Sequence, residues 1–189
     1  MSDIQGTAAL KHGERFTIAQ RNAWPGDERW ELIGGVAYNM SPAPRPHHQI
    51  IAGTIFHDLY DYLDGKPCQP FISPVDVYLP DASAENEETV VQPDVFVVCD
   101  PEKIKDDGIH GAPDYIVEVL SDSTAYKDLT IKKQAYERAG VREYWIINPD
   151  TGSIFISLLD QDRYLPMQEI LKGDRAASTV LTGFTFTLG

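Results

Sequence analysis

Apolar positions along this chain fall mostly in short alternating or unbroken runs cut by Gly- and Pro-rich turns, and helical spacing is confined to two segments. Trp30 to Ile33 and Val36 to Met40 flank Gly34-Gly35, a pair able to supply the positive φ angles of a tight hairpin turn. Ahead of them, Phe16 to Ala19 can begin a helix or serve as a docking segment. Ser41-Pro42-Ala43-Pro44-Arg45-Pro46 reads as a stiff connector, since each Pro fixes φ and restrains its predecessor. A helix is predicted from about His47 to Leu63, with Ile51, Ile55, Leu59 and Tyr62 on one stripe and Gly65 and Pro67 ending it. Val75 to Leu79 alternates like a strand, and Asp81 to Glu88 is an acidic, turn-rich loop. Val90 to Cys99 reads as one β run through Pro93-Asp94, Asp100 to Ala112 as a loop, and Tyr115 to Leu120 as a second apolar strand. A second helix is predicted over Thr124 to Ala139, closed by Gly140. Then follow a strand over Glu143 to Asn148, a turn at Pro149-Asp150-Thr151-Gly152 and a returning strand over Ser153 to Leu159. Tyr164 to Leu171 and Phe184 to Leu188 look like edge strands.

The helix between Tyr115–Leu120 and Glu143–Asn148 lets those two strands pair in parallel through a right-handed crossover. The expected fold class is α/β, an α+β mixed sheet flanked by helices with extra β-hairpins. The chain's 189 residues suit a single domain, divided into an N-terminal extension (1–29), a core (30–159) and C-terminal strands (160–189).

Composition adds little until the charge is counted. No run approaches the roughly 20 apolar residues of a membrane span, and Met1-Ser2-Asp3-Ile4-Gln5 lacks the basic start and apolar stretch of a secretory signal. Cys68 and Cys99 stand far apart in no motif and are read as two reduced thiols of a cytoplasmic protein. The net charge of −13 is less ordinary. It repels a polyanion at long range, so nucleic-acid binding requires local basic clustering, a divalent cation or a charged partner.

Candidate chemistry centres on Asp94 and Glu118. If their strands form a hairpin, Asp94 lies early in one and Glu118 late in the next, and antiparallel pairing brings them together. Glu118 interrupts the run Tyr115-Ile116-Val117-Glu118-Val119-Leu120, where a buried carboxylate is costly unless paired, hydrogen-bonded or metal-bound. Clustered carboxylates repel, so one of them should titrate high. Asp114 precedes Glu118 by four residues, roughly 13 Å along a strand, and is read as opening that strand. On the second helix Lys132 falls on the packing face with Ala125, Leu129, Tyr136 and Ala139; it can snorkel to the edge or act on the site. Lys132→Met, which preserves the stem and the helix propensity, is expected to keep the fold. Glu31, taken alone, reads as a surface charge on the hairpin. Tyr136 and Trp145 read as core, and Ser121 as a cap ahead of the second helix.

Glu31-Leu32-Ile33-Gly34-Gly35, Ser41-Pro42 with His48-Gln49, Gln92-Pro93-Asp94, Ile116 to Ser121, Lys132 with Tyr136, Gly140-Val141 and Glu143 to Ile147 occur in this order. Together they resemble the PD-(D/E)XK nuclease superfamily, the restriction-endonuclease-like fold. Within it they are similar to a large bacterial family of such domains, long carried as one of unknown function. The resemblance covers about Trp30 to Leu159. It implies that Asp94 and Glu118 bind Mg²⁺ or Mn²⁺, that Glu31 is the upstream acid, and that Lys132 supplies the lysine absent from position 120, where Leu120 stands. A second departure is Gly34, where the family usually has an acid; that position serves the turn. His48 and Tyr136 are candidate substrate contacts, and no Cys/His set at zinc spacing accompanies His47 and His48.

The function this implies is metal-dependent endonucleolytic hydrolysis of phosphodiester bonds, with DNA as the nucleic-acid substrate. The alternatives are a nuclease-fold protein of little or no activity that binds partners as a homodimer, and a hydrolase of a smaller phosphate ester. The charge and the displaced lysine favour the binding module; the Asp94, Glu118 and Lys132 set favours the enzyme.

Overall fold

The Gly34-Gly35 pair turns the chain as its spacing predicts. Strands β1 (Trp30–Ile33) and β2 (Val36–Asn39) pair antiparallel with Ile33 opposite Val36, and the two glycines adopt φ of 57° and 77°. The computed structural model describes residues 14–24, 29–40, 45–80, 88–121 and 125–188. The connector over 41–44, the acidic loop over 81–87 and the start of the second predicted helix fall outside those ranges. The segment ahead of the hairpin forms a short helix, α1 (Ile18–Asn22), held by a Thr17–Gln20 capping box.

Helix α2 (Pro46–Leu63) begins with Pro in its first turn and buries His48, Ile51, Ala52, Ile55, Leu59 and Leu63. After it come β3 (Gln69–Ile72), β4 (Val77–Leu79), β5 (Thr89–Val91) and β6 (Val95–Val98). The run expected as one strand over Val90 to Cys99 is therefore two. Pro93 cannot donate to a ladder, and the chain leaves one sheet and enters another across Gln92-Pro93-Asp94. The loop expected over Asp100 to Ala112 also carries structure: a 3-10 turn (Pro101–Lys103) and the hairpin β7 (Ile104–Lys105) and β8 (Gly108–His110). Here Gly108 is required, because a Cβ at its φ of 144° would lie 2.5 Å from the Asp76 carbonyl oxygen.

Strand β9 (Tyr115–Val119) leads into the second helix, which departs from the regular α-helix its spacing predicts. Lys127–Lys132 form a π-helical turn before α3 (Lys133–Ala139), which Gly140 closes in the left-handed conformation at φ 86°. The remaining strands are β10 (Glu143–Ile147), β11 (Ile154–Asp160), β12 (Arg163–Tyr164), β13 (Gln168–Ile170), β14 (Ala176–Ala177) and β15 (Thr185–Phe186). Among the described residues the strands form two mixed sheets, in the orders β2-β1-β5-β4-β8-β7 and β12-β11-β10-β9-β6-β3, with β13 also on β11 and β14-β15 apart. As the crossover argument requires, β9 and β10 are parallel, while β6 and β9 are antiparallel.

The second sheet is buried on both faces. Val95, Val97, Tyr115, Val117 and Trp145 pack toward α2 and Phe184, whereas Phe96, Val98, Ile116, Tyr144 and Ile146 pack toward α3 and the first sheet. Burial on both sides explains why these strands read as unbroken apolar runs. The cysteines correct the sequence expectation: Cys68 and Cys99 form a disulfide. Gln69 pairs with Val98, so the residues one step outward face each other across β3 and β6, a proximity that their separation along the chain conceals. Among the described residues no helix is long and apolar enough to cross a membrane.

Candidate active site

The register of the central sheet brings the two predicted carboxylates together. Val95 pairs with Val117 in antiparallel β6 and β9, so Asp94 and Glu118 face each other one step further along the ladder. Both lie on the side of the sheet that faces α3, with Phe96 and Ile116. Asp94 Oδ2 accepts the Val119 N–H at 2.8 Å and lies 3.1 Å from His48 Nε2 in the first turn of α2. The Asp94 N–H points at Glu118 Oε2 at 3.4 Å. His48, expected near the cleft, thus contacts the site through Asp94.

Glu118 is buried, and its Oε1 receives two donors, the Lys132 ammonium and the Tyr136 hydroxyl, each at 2.7 Å. Lys132 does not snorkel. Its Nζ sits 2.8 Å from Glu31 Oε1 and 3.9 Å from Asp128 Oδ1, and the residue is only 3% exposed. Tyr136 is fully buried and so reaches a substrate only through the carboxylate it holds.

Glu31 overturns the surface-charge expectation. It is fully buried, with its carboxylate enclosed by Lys127 and Lys132 of the second helix and by the Gln92 backbone. Its Oε1 also accepts the Gln92 N–H at 3.0 Å, and its Oε2 accepts Lys127 Nζ at 2.5 Å. The same segment that changes sheets therefore ties Glu31 to Asp94. Sequence periodicity missed Lys127 for a definable reason. Residues five apart on an α-helix point about 140° away from each other, whereas a π turn returns them to one side. Lys127 and Lys132 consequently converge on the two oxygens of Glu31. Asp128, on the same turn, is buried beside Lys132, and its carbonyl accepts the Tyr144 hydroxyl.

The electrostatics follow from this crowding. Burial pushes the Glu118 carboxyl up to about 8; the Lys132 charge pulls it down, while Asp94, Asp128 and Glu31 push it up again. The repulsion expected of clustered carboxylates thus contributes to the Glu118 shift, behind burial as its main cause. Burial also raises the Glu31 carboxyl, yet Lys132 and Lys127 outweigh it and leave Glu31 below its ordinary range. Burial opposes the Lys132 charge, but Glu118, Glu31 and Asp128 hold its ammonium well above the ordinary lysine value. His48 titrates above its ordinary value: burial lowers it, and the bond to Asp94 more than compensates. Asp114 opens β9 as expected, accepting the Cys99 N–H and pairing with Arg142 away from this cluster.

Could this set hold a cation? Asp94 Oδ2 and Glu118 Oε1 are engaged, but among the described residues no donor reaches Asp94 Oδ1, and Glu118 Oε2 has only the long Asp94 contact. Two hard oxygens on facing carboxylates fit an ion of the Mg²⁺ kind, which takes one or two carboxylates and completes its shell with water and phosphate. Among the described residues no group of three or more His, Cys, Asp or Glu side chains is placed to hold a metal ion, so a cation here would rest on these two carboxylates alone.

Mixed sheets flanked by helices, with facing acids at the end of the central antiparallel pair, define the restriction-endonuclease-like fold class. The family described as "Uma2: Putative restriction endonuclease" matches residues 18–189, and the chain belongs to that family. A solved structure described as "a putative nuclease belonging to DUF820", from Anabaena variabilis ATCC 29413, superposes with a TM-score of 0.73 at 16% identity, covering 92% of this chain and 95% of that one. A protein of Synechocystis sp. (strain ATCC 27184 / PCC 6803 / Kazusa), described only as "Uncharacterized protein slr1290", is 29% identical over 122 residues. That match takes in 65% of this chain and 56% of the relative's length, little more than half of it.

Proposed function

We propose that the chain hydrolyses phosphodiester bonds in nucleic acid, with DNA as substrate, using Mg²⁺ or Mn²⁺ held by Asp94 and Glu118. The observation that carries this reading is the buried Lys132 ammonium between Glu118 and Glu31, with the facing Asp94 keeping one carboxylate oxygen that no donor reaches among the described residues. When bound, such an ion supplies Lewis-acid stabilisation of phosphoryl charge and acidifies water. The chain's own groups supply the rest. His48 and the Val119 N–H fix Asp94 through one oxygen, and Tyr136 fixes Glu118 through one oxygen, so each carboxylate is oriented before a substrate arrives. Lys132 is a permanent positive charge in a dry site, where it acts on developing phosphate charge from behind Glu118, the carboxylate it holds. Glu31 is a positioning residue that holds Lys132 from the side opposite Glu118.

A second reading, a nuclease-fold binding module acting as a homodimer, draws on the net charge of −13. Incubation of supercoiled DNA with Mg²⁺, Mn²⁺ or EDTA separates the two. Hydrolysis predicts nicking in either metal, none in EDTA, and a loss of about a hundredfold or more in Asp94→Ala. Nicking that persists unchanged in Asp94→Ala, or its absence in both metals, overturns it.

A further inference from the structure

Most of the cations around the site are neutralised. Lys127 and Lys132 pair with Glu31 and Glu118, and Arg21 pairs with both oxygens of Asp76. Arg29 is different. It is exposed, and its guanidinium is held by uncharged oxygens: Gln92 Oε1, at 2.6 Å from Nη2 and 3.2 Å from Nε, and Ser73 Oγ at 3.2 Å from Nη2. Asp76, the nearest acid in this network, is already taken by Arg21 and by Gln92 Nε2 at 2.7 Å. Among the described residues Arg29 therefore has no acidic partner and presents a held positive charge.

Its position is tied to the active carboxylate by both arms. Gln92 stands two residues before Asp94, about 7 Å of extended backbone, and the Ser73 N–H donates to the Asp94 carbonyl at 2.9 Å. Gln92 also donates its backbone N–H to Glu31. A planar cation bound on one side by two neutral acceptors keeps further N–H donors for a phosphate. We infer that Arg29 binds a non-bridging oxygen of a backbone phosphate flanking the scissile one, and so supplies the local positive charge that a chain of net charge −13 requires to receive a polyanion. The inference rests on nucleic acid being the substrate of the site described above.

Binding and turnover of a fluorescent DNA duplex, measured across a salt series, test it. Binding is read in EDTA and cleavage in Mn²⁺, on wild type, Arg29→Gln and Arg29→Lys. Arg29→Gln weakens binding about tenfold at low salt, equally for unrelated sequences, and lowers the slope of log K against log salt by about one; Arg29→Lys keeps the slope. In the cleavage assay the loss falls on KM rather than on kcat. A slope unchanged in Arg29→Gln overturns the inference, even where wild type cleaves; a loss confined to kcat does the same, showing that Arg29 only positions Gln92. A wild type that binds with the Arg29-dependent slope yet never cleaves supports this inference and overturns the hydrolytic reading. A wild type that neither binds nor cleaves overturns both.

Discussion

Lys132 Nζ lies 2.8 Å from Glu31 Oε1, joining the first sheet to the second helix through one buried ion pair. Because the same ammonium also lies 2.7 Å from Glu118, its removal takes the buried cation from Glu118 and leaves Glu31 with Lys127 alone. The two buried ion pairs therefore weigh against the expectation that Lys132→Met leaves the fold undisturbed. Chemical denaturation should show a loss of about 3–5 kcal/mol, and Lys132→Met combined with Glu118→Gln should recover part of it. Equal stability of the single variant and the wild type would mean that the pair carries no structural weight.

Stability should also report the Glu118 proton. The native carboxyl titrates at about 8 against an ordinary 4.5, so the folded state holds the proton more tightly than the unfolded chain. Its contribution is full below the unfolded value and is lost as pH rises through the folded one. The stability difference between wild type and Glu118→Gln should therefore shift against wild type between pH 4.5 and about 8, by at most about 1.4 kcal/mol per pH unit. Glu31, shifted downward, works in the opposite sense: its contribution is present above the ordinary carboxylate value and is lost in acid. Denaturant midpoints at four or five pH values, taken for both proteins, check the sign.

Cation binding should expel that proton. Mn²⁺ titrated near pH 7 is expected to release about one proton per ion, read from calorimetry in two buffers of different ionisation heat, and to raise Tm. Asp94→Asn should abolish both effects. A wild type whose Tm does not move in millimolar Mn²⁺ does not use its carboxylates in this way.

Glu143 anchors a different region. This fully buried carboxylate accepts Trp145 Nε1 on one oxygen and, on the other, the Ser178 hydroxyl and the Thr179 and Val180 N–H groups. Glu143→Ala should cost about 3 kcal/mol or more, and hydrogen exchange should accelerate first over residues 176–186. Uniform acceleration across the chain would place the loss in the central sheet.

The disulfide is checked with Cys68→Ser/Cys99→Ser. Closing a loop of 31 residues is worth roughly 3–4 kcal/mol through the unfolded state, so the double variant and reduced wild type should fall to the same lower midpoint.

The parts of the molecule legible in the sequence are those governed by local rules. Gly34-Gly35 announces its hairpin, the Ile51, Ile55 and Leu59 stripe announces α2, and the intervening helix announces the parallel β9–β10 pair. Asp94 and Glu118 were readable because antiparallel order alone sets an early residue beside a late one. Other features depend on contacts between distant segments. Whether Glu31 is buried depends on the second helix bringing its lysines over β1, Lys127 reaches the site only through the π turn, and the Arg29 contacts exist because Gln92 and Ser73 converge from the ends of separate strands. Spacing along the chain encodes none of these, nor the opposition of Cys68 and Cys99.

Pro93 has a consequence for how this chain can change length. On one side of it, Leu32 pairs with Val90 in the first sheet; on the other, Val95 pairs with Val117 in the second. Both registers are pinned by buried side chains, and a slip of one residue would turn every one of them to the wrong face. A single inserted or deleted residue at 92–94 therefore has nowhere to be absorbed: it either removes Gln92 from Glu31 or removes Asp94 from Glu118. An exposed turn such as Gln161-Asp162 has room for an added residue, but this crossing between sheets works as a ruler of fixed length.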